Sequence, residues 1–184
     1  MLVTVPSRSA FGPISKNPLH TVPMLEDNDL TIHDSHVILT YLTEKYGKDD
    51  SLYPKDIKKR AMVDQKLFLD TLIFYRIRAI TTPAFFEGVR KPTEKQLKDL
   101  EEVYVFLEAF LSKTKFIADN NMTLADISIL ATVSAMRYII PIDGTKYPKV
   151  QSWFNYMKNQ SFYKKCTEPA SIELGKLVKS RLDV

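Results

Sequence analysis

Side chains that could do chemistry concentrate between His20 and His36. A loop with His20 and a Val22-Pro23 step comes first, and Asp34-Ser35-His36 then begins a helical pattern. Free backbone amides at a helix N-terminus, with a hydroxyl and a carboxylate beside them, can hold a ligand's carboxylate and its ammonium group. Taken alone, the same residues also fit three structural roles, namely a turn, a helix cap and a surface-loop histidine.

Two other chemistries fit this spacing poorly. Asp34, Ser35 and His36 are the residue types of a hydrolase triad, but sequence neighbours cannot form the Ser–His–Asp relay. His33 and His36 with Asp34 are metal-ligand types, yet one histidine ends a strand and the other residues begin a helix. The sequence therefore predicts neither a hydrolase nor a metal site here.

The elements around these residues are short. A β-hairpin with a strand at Met24–Glu26 precedes Asp34, and the helix after it runs to about Tyr46-Gly47, where glycine is a natural stop. The polar stretch GKDDSLYPKD that follows has the composition of a linker.

Everything after the linker has a helical pattern. A long helix is predicted from about Lys55 to Ala79, and Pro83 is expected to bend or end it. Thr93 and Gln96 form a capping box that opens a helix continuing to Leu111. Further helices are predicted from Leu124 to about Tyr138, from Tyr147 to about Lys158, and from Pro169 to about Leu182.

Composition excludes several classes of protein. With 45% hydrophobic and 26% charged residues, the chain of 184 residues has the composition of a globular protein, and no apolar run is long enough for a membrane span. The net charge of +4 is dispersed over helix faces without an aromatic platform, which argues against nucleic-acid binding. Cys166 is the single cysteine, so an intramolecular disulfide is impossible and a cytoplasmic location is expected.

Two segments together carry a resemblance to a known family. NPLHTVPMLEDNDLTIHDSHVILTYL, from Asn17 to Leu42, is one, and the Thr123-x-x-Asp126 box preceded by Phe116-Ile117-Ala118 is the other. In this order and at roughly this separation they resemble the cytosolic glutathione transferases, closest to the delta and epsilon classes of insects. The resemblance covers about residues 17–184. It implies an α/β, thioredoxin-like domain at residues 1–48, a linker at 49–55 and an all-α helical domain at 56–184.

The resemblance also implies two binding surfaces. Glutathione is a co-substrate of this family rather than a cofactor. The resemblance implies that it pairs with the main chain at a cis Val22-Pro23 step and that its γ-glutamyl end binds Asp34 and Ser35 at the helix start. It also implies that His20 and His36 contact the glycyl and flanking parts. For a hydrophobic electrophile it implies one face of the long helix, with Phe74, Ile77, Arg78, Thr81, Phe85 and Phe86. Without the resemblance, this second group would be interhelical core plus a solvated arginine.

The segment before Asn17 departs from the family pattern. The family has a β-α-β unit there, within a sheet of order 2-1-3-4, and a serine whose hydroxyl favours the thiolate of glutathione. Here MLVTVPSRSAFGPISK has room for one strand, Leu2–Val5, which is either the family's second strand or a substitute in the central position. We therefore expect an N-terminally truncated domain with a weakened glutathione site. Ser7 and Ser9 are present, but no pattern places either beside the sulfur, so the catalytic residue is unassigned.

The predicted function is conjugation of reduced glutathione to small hydrophobic electrophiles by a homodimer. Two alternatives remain open at this point. One is a non-catalytic protein that binds glutathione or hydrophobic ligands, and the other is an incomplete splice form or gene model.

Overall fold

The computed structural model describes the backbone of residues 2–4 and all of residues 17–184, so Ser7 and Ser9 lie outside the described residues. The chain divides into two compact units, Met1–Lys55 and Asp56–Val184. None of the helices in the described part of the chain combines the length and the apolar character needed to cross a membrane.

The first unit is an antiparallel sheet with one helix. Strands β1 (Leu2–Thr4), β2 (Met24–Asp27) and β3 (Leu30–His33) lie in the order β1-β2-β3, and helix α1 spans Ser35–Tyr46. Asn28, in the turn between β2 and β3, has a φ of 56°, a left-handed conformation that asparagine tolerates. Helix α1 contacts both β2 and β3 and ends at Gly47, as the sequence predicted.

The strand predicted at Leu2–Val5 is confirmed at Leu2–Thr4. It pairs antiparallel with β2, with Leu2 opposite Glu26 and Thr4 opposite Met24. Strand β2 thus has a hydrogen-bonded neighbour on both sides, as expected if Leu2–Val5 substitutes for the family's central strand.

A buried aspartate joins the hairpin to the far end of α1. The carboxylate of Asp27 accepts hydrogen bonds from Lys45 Nζ at 2.6 Å, from the Tyr41 hydroxyl at 2.8 Å and from the Tyr46 hydroxyl at 3.1 Å. The Lys45 ammonium, then the Tyr41 and Tyr46 donors, lower the pKa of Asp27 from 3.8 to about 2. The same contact raises the pKa of Lys45. The ion pair therefore stabilises the folded unit only while Asp27 is ionised.

The second unit is all helical. Its helices are α2 (Ile57–Phe86), α3 (Glu94–Leu111), α4 (Leu124–Met136), α5 (Pro148–Met157) and α6 (Glu168–Arg181). Helix α4 is buried around most of its circumference and contacts α2 and α6, while α3 contacts α2 and α5. A helix that is apolar on nearly every side belongs in the centre of a bundle. Its fully buried side chains include Leu124, Ile129, Leu130, Val133 and Met136.

The helix bounds correct two sequence predictions. Helix α4 ends at Met136, two residues before the predicted end, and a π-helical turn at Tyr163–Thr167, which was not predicted, leads into α6. Helix α2 does not end before Pro83 but continues through it to Phe86. The capping boxes of Thr93 with Gln96 and of Thr123 with Asp126 are both confirmed.

A side chain from the next helix explains how α2 continues through Pro83. Proline has no amide hydrogen, so the carbonyl of Ala79, four residues earlier, loses its helical donor. Gln96 Nε2 donates to that carbonyl at 2.8 Å. Its Oε1 accepts from the Thr93 amide at 2.8 Å and so caps α3 as well. One amide group therefore completes the end of one helix and the start of the next.

The Asp27 contacts predict a pH-dependent effect of substitution. Asp27→Asn removes the charge that Lys45 binds, so the variant will be less stable than the parent at pH 6. Because the folded pKa of Asp27 is about 2 and its ordinary pKa is 3.8, the parent loses this stabilisation as the pH falls from about 4 towards 2. The gap in urea midpoint between parent and variant will therefore narrow over that range.

The exposed Asp29, in the same turn, provides the matched control for this pH series. Asp29→Asn should give a midpoint that differs from the parent by a constant amount. A gap for Asp27→Asn that stays constant from pH 6 to pH 2 would contradict the role given to the ion pair.

The double role of Gln96 predicts an energetic coupling with Pro83. Gln96→Ala should cost about 1–2 kcal/mol of unfolding free energy, because a cap and a carbonyl partner are both lost. In a Pro83→Ala background, residue 83 regains its amide, so the same substitution should cost about 1 kcal/mol less. Urea denaturation of the four proteins measures this difference.

Thr93→Ala removes only the cap and should cost the same in both backgrounds. If the cost of Gln96→Ala does not depend on residue 83, the hydrogen bond to the Ala79 carbonyl contributes nothing.

Candidate functional site

The loop before β2 is organised by a residue to which the sequence analysis gave no role. Asn17 is buried, and its side-chain amide donates to the Thr21 carbonyl at 2.8 Å and accepts from the Leu19 amide at 3.0 Å. The His20 amide donates to the Asn17 carbonyl at 3.1 Å. These bonds hold His20 at a φ of 51°, on the exposed side of a tight turn. The sequence shows only that Asn17 precedes a proline, a pair that favours a turn but does not reveal these contacts.

The Val22-Pro23 step follows this turn. Its peptide bond is cis, as the resemblance implies. Val22 is half exposed and Pro23 is partly buried, directly before strand β2.

Asp34 occupies an unusual backbone conformation at the start of α1. Its φ is 80° and its ψ is 122°, a region that costs a non-glycine residue about 1–3 kcal/mol and that concentrates at functional sites. Its Oδ1 atom accepts from the amides of His36 at 2.9 Å and Val37 at 3.2 Å, and it lies 3.3 Å from His36 Nδ1. Oδ2 takes part in none of these contacts. Asp34 is therefore the N-cap of α1, with one carboxylate oxygen committed to the helix.

The register of the hairpin brings the two segments together. Met24, which follows Pro23, pairs with His33, which precedes Asp34. The cis-proline loop and the beginning of α1 therefore lie at the same end of the β2–β3 ladder. Strand β1 also ends there, since Thr4 pairs with Met24. Five of the predicted glutathione residues, from Val22 to His36, are thus brought to one end of the sheet, and His20 belongs to the loop that leads into it.

The residues predicted for an electrophile lie on the C-terminal half of α2 and its last turn. Phe74 and Phe86 are exposed, and the guanidinium carbon of Arg78 lies 6.0 Å from the centroid of the Phe74 ring. Ile77 is part of the hydrophobic core, and Phe85 packs against the core. Thr81 is buried and donates from its hydroxyl to the Ile77 carbonyl at 3.1 Å. The predicted set therefore divides into three exposed residues, Phe74, Arg78 and Phe86, and three that are buried or partly buried.

Residues with metal-binding side chains do not converge in this part of the molecule. Across residues 17–184, no group of three or more histidine, cysteine, aspartate or glutamate side chains is arranged to hold an ion.

Comparison with known proteins agrees with this architecture. Residues 2–50 match the model of the glutathione S-transferase N-terminal domain, and residues 57–161 match that of the C-terminal domain. Glutathione S-transferase 1 of Manduca sexta is 42% identical over 168 residues, which cover 90% of this chain and 77% of that protein.

Solved structures give the same result. An epsilon-class glutathione S-transferase from the housefly, Musca domestica, superposes with a TM-score of 0.89 at 40% identity, covering 91% of this chain and 78% of that one. A glutathione transferase homologue from Drosophila mojavensis, solved with bound glutathione, has a TM-score of 0.88 at 36% identity, covering 92% and 78%. A delta-class enzyme from Nilaparvata lugens has a TM-score of 0.84 at 38% identity, covering 91% and 79%.

These matches confirm the predicted fold class, a thioredoxin-like N-terminal domain followed by a helical domain, in a family that uses glutathione as a co-substrate. The two domain models together cover most of the chain, and the Manduca sexta relative exceeds 40% identity over nearly all of it. The chain therefore belongs to the glutathione S-transferase family of enzymes.

Proposed function

We propose that this protein conjugates reduced glutathione to small hydrophobic electrophiles. The observation that carries the proposal is the pairing of Met24 with His33, which sets the cis-proline loop and the Asp34 cap at one end of the sheet. A tripeptide with an anionic, ammonium-bearing end needs main-chain partners and charged or polar groups close together, and this end of the sheet has both kinds of group.

We propose the following arrangement for glutathione. Its γ-glutamyl carboxylate binds the Ser35 hydroxyl and the amides at the start of α1, where a helix favours an anion. Its ammonium group binds Oδ2 of Asp34, the oxygen that the cap contacts do not use. The main chain of Val22, before Pro23, pairs with the cysteinyl part, and His20 and His36 contact the glycyl and flanking parts.

The electrophile is assigned to the exposed surface of α2. Phe74 and Phe86 offer apolar rings and Arg78 offers one cation, while Ile77, Thr81 and Phe85 are buried or partly buried on the same half of the helix. In the reaction, the glutathione thiolate attacks the electrophilic carbon, a carbon–sulfur bond forms and the leaving group departs. A free thiol has a pKa of about 8.5, so a donor to the sulfur raises the thiolate fraction at neutral pH. That donor is unassigned.

We also propose that the protein is a cytoplasmic homodimer. Phe68, Leu72 and Tyr75 recur at helical spacing along α2 and are 79%, 45% and 62% exposed. A contiguous apolar stripe of this kind is typical of an interface between protein chains. The free thiol of Cys166 is exposed, which suits a reducing compartment.

Asp34→Asn separates the ligand role of this residue from its structural one. Asparagine caps helices as well as aspartate and tolerates a positive φ, so the variant should fold. It lacks the charge for the ammonium group, so glutathione affinity should fall about 10- to 100-fold, as expected for one hydrogen bond to a charged group. Calorimetric titration with glutathione measures the loss.

Asp56→Asn provides the matched control. Asp56 caps α2 through the amides of Lys58 and Lys59, as Asp34 caps α1. The Asp56→Asn substitution should leave glutathione affinity unchanged. An Asp34→Asn protein that binds glutathione as the parent does would contradict the assignment of the γ-glutamyl site.

Two measurements on the parent separate catalysis from binding alone. Glutathione at 100 times its dissociation constant should stabilise the protein by about 2.7 kcal/mol and raise the melting temperature by several degrees. With 1-chloro-2,4-dinitrobenzene added, release of chloride and formation of the thioether should then proceed catalytically. A thermal shift without turnover would favour a non-catalytic binding protein. The absence of both the thermal shift and the turnover would contradict the transferase and the binding protein alike.

The dimer proposal predicts that Phe68→Glu gives a monomer in analytical ultracentrifugation, because burying a carboxylate without a partner is unfavourable. Ile172→Glu, at an exposed apolar residue of α6, should keep the mass of the parent. A parent protein that sediments as a monomer, or a Phe68→Glu protein that still sediments as a dimer, would refute this interface.

A further inference from the structure

We propose that Arg90 and Asp183 are a positioning pair that tunes specificity for the electrophile, because their ion pair fixes the last turn of α2 and with it the ring of Phe86. Arg90 lies in the loop after α2, and Asp183 follows α6. Both residues lie outside the set assigned to the electrophile, so they act on it through the loop and not by contact. The inference rests on the proposed function, since it concerns the surface to which the electrophile is assigned.

Arg90 is bound to the segment around Asp183 through its side chain and its main chain. Its Nη2 atom donates to Asp183 Oδ1 at 2.6 Å, and its Nε atom lies 3.1 and 3.3 Å from the two carboxylate oxygens. Its Nη1 atom donates to the Ser180 carbonyl at 3.2 Å, in the last turn of α6. The Asp183 amide donates in turn to the Arg90 carbonyl at 2.9 Å. A guanidinium with both partners is held in one orientation, which the point charge of a lysine would not be.

The partner of Arg90 is itself anchored in the hydrophobic core. Leu182, directly before Asp183, is 4% exposed and belongs to the core of the helical unit. Its amide donates to the Val178 carbonyl at 2.8 Å, which continues the hydrogen bonding of α6 by one residue. Asp183 therefore presents its carboxylate from a fixed point, and the ion pair holds the loop with Arg90 against it.

The loop that carries Arg90 is bonded back to the last turn of α2. The amides of Glu87 and Val89 both donate to the Pro83 carbonyl, at 2.9 and 3.2 Å. Gly88 lies between them with a φ of 75°, a conformation that favours glycine and that turns the chain back on the helix end. A displacement of Arg90 would therefore displace the end of α2 as well.

The last turn of α2 depends on contacts from outside the helix. Because Pro83 cannot donate to the Ala79 carbonyl, the donor comes from Gln96 instead. Phe86 is 74% exposed, so the hydrophobic core does not fix its ring. The turn is thus held from the side of Ala79 by Gln96 and from the loop by the ion pair of Arg90.

The position of the Phe86 ring matters most for an electrophile that is itself aromatic. Two rings attract each other only in offset or edge-to-face arrangements, with centroids about 4.5–7 Å apart, whereas a flexible alkyl chain adapts to a displaced ring. The side chains of Arg90 and Asp183 are 51% and 44% exposed, and exposed ion pairs contribute modestly, so losing this one should change affinity only about two- to fivefold. The pair therefore adjusts which electrophiles bind well, and does not decide whether the protein binds glutathione.

Calorimetric titration with glutathione conjugates measures this effect without requiring turnover. The probes are glutathione, S-(2,4-dinitrophenyl)glutathione, which adds an aromatic ring, and S-hexylglutathione, which adds a flexible chain. Asp183→Asn and Arg90→Gln should each weaken binding of the dinitrophenyl conjugate about two- to fivefold, leave glutathione affinity unchanged and affect the hexyl conjugate less. Arg90→Lys keeps the charge but not the fork of donors, so its affinity should lie between those of the parent and Arg90→Gln.

Glu173→Gln provides the matched control. Glu173 forms an exposed ion pair with Lys176 within α6, at 2.6 Å, so the substitution removes a comparable contact from the same helix. This variant should bind all three probes as the parent does. Amide hydrogen exchange adds a structural readout, because the 87–91 loop should exchange faster in Asp183→Asn than in the parent, while α3 exchanges at the same rate in both.

Several results would overturn the positioning role. One is an equal loss of affinity for all three probes, since that indicates a general structural defect. Others are a dinitrophenyl conjugate that binds Asp183→Asn as tightly as the parent, or exchange of the 87–91 loop that does not change. A parent for which the dinitrophenyl ring adds no affinity over glutathione would overturn this role and the electrophile assignment together.

Failure of the proposed function gives a different result. If the parent binds the dinitrophenyl conjugate but does not catalyse its formation, only the proposed catalysis fails, and the affinities of the variants still decide the positioning role. The variants should fold, because both side chains of the pair are about half exposed. A thermal melt of each variant verifies this before titration.

Discussion

The helical unit depends on one buried carboxylate. Asp126 is fully buried, and its two oxygens accept from the amides of Ile117 and Thr123 at 2.9 Å, from the Thr123 hydroxyl at 3.2 Å and from the Trp153 indole at 3.0 Å. Burial raises the pKa of Asp126, and the four donors work against that shift by stabilising the ionised form. An ionised group without such partners would be very costly in this position.

These bonds decide where three segments meet. The 116–118 segment, the start of α4 and the middle of α5 all attach to the same carboxylate, and α4 then runs through the centre of the bundle. Helix α2 carries the residues proposed for the electrophile, and it packs on α4. Because Asp126 fixes the start of α4, it also helps to determine, indirectly, where α2 lies. The position of Trp153 in α5 follows from it directly, through the hydrogen bond of its indole nitrogen.

In the first unit, one aspartate contacts each end of α1, and the two have different roles. Asp27 binds side chains of the C-terminal half and is buried, so it holds the helix on the hairpin. Asp34 caps the N-terminus and is exposed, in a backbone conformation that is itself unfavourable. The stabilising interactions thus lie at the end of the helix away from the proposed ligand, and the strained residue lies where the ligand would bind.

The sequence predicted those features whose partners are close along the chain. The capping boxes at Thr93 and Thr123 and the end of α1 at Gly47 depend on residues within a few positions, so their patterns were visible. The Asp27 contacts, the Trp153–Asp126 bond and the extension of α2 through Pro83 each need a partner 14 to 27 residues away, and no local spacing shows it. In the candidate site, the resemblance to the transferases predicted the glutathione residues, whereas the role of Asn17 appeared only with the folded loop.

The hydrogen bond from Gln96 to Ala79 also has an evolutionary meaning. While residue 83 is proline, the side chain at position 96 must accept a hydrogen bond from the Thr93 amide and donate one to the Ala79 carbonyl. Among side chains of this length, only glutamine does both. Once residue 83 is any amino acid with an amide hydrogen, glutamate can occupy position 96 as a cap without leaving a carbonyl unpaired. Whether residue 96 can be substituted therefore depends on residue 83, thirteen places away on a different helix. If Gln96 is replaced by glutamate before Pro83 is replaced, the intermediate protein is less stable, and in the reverse order it is not.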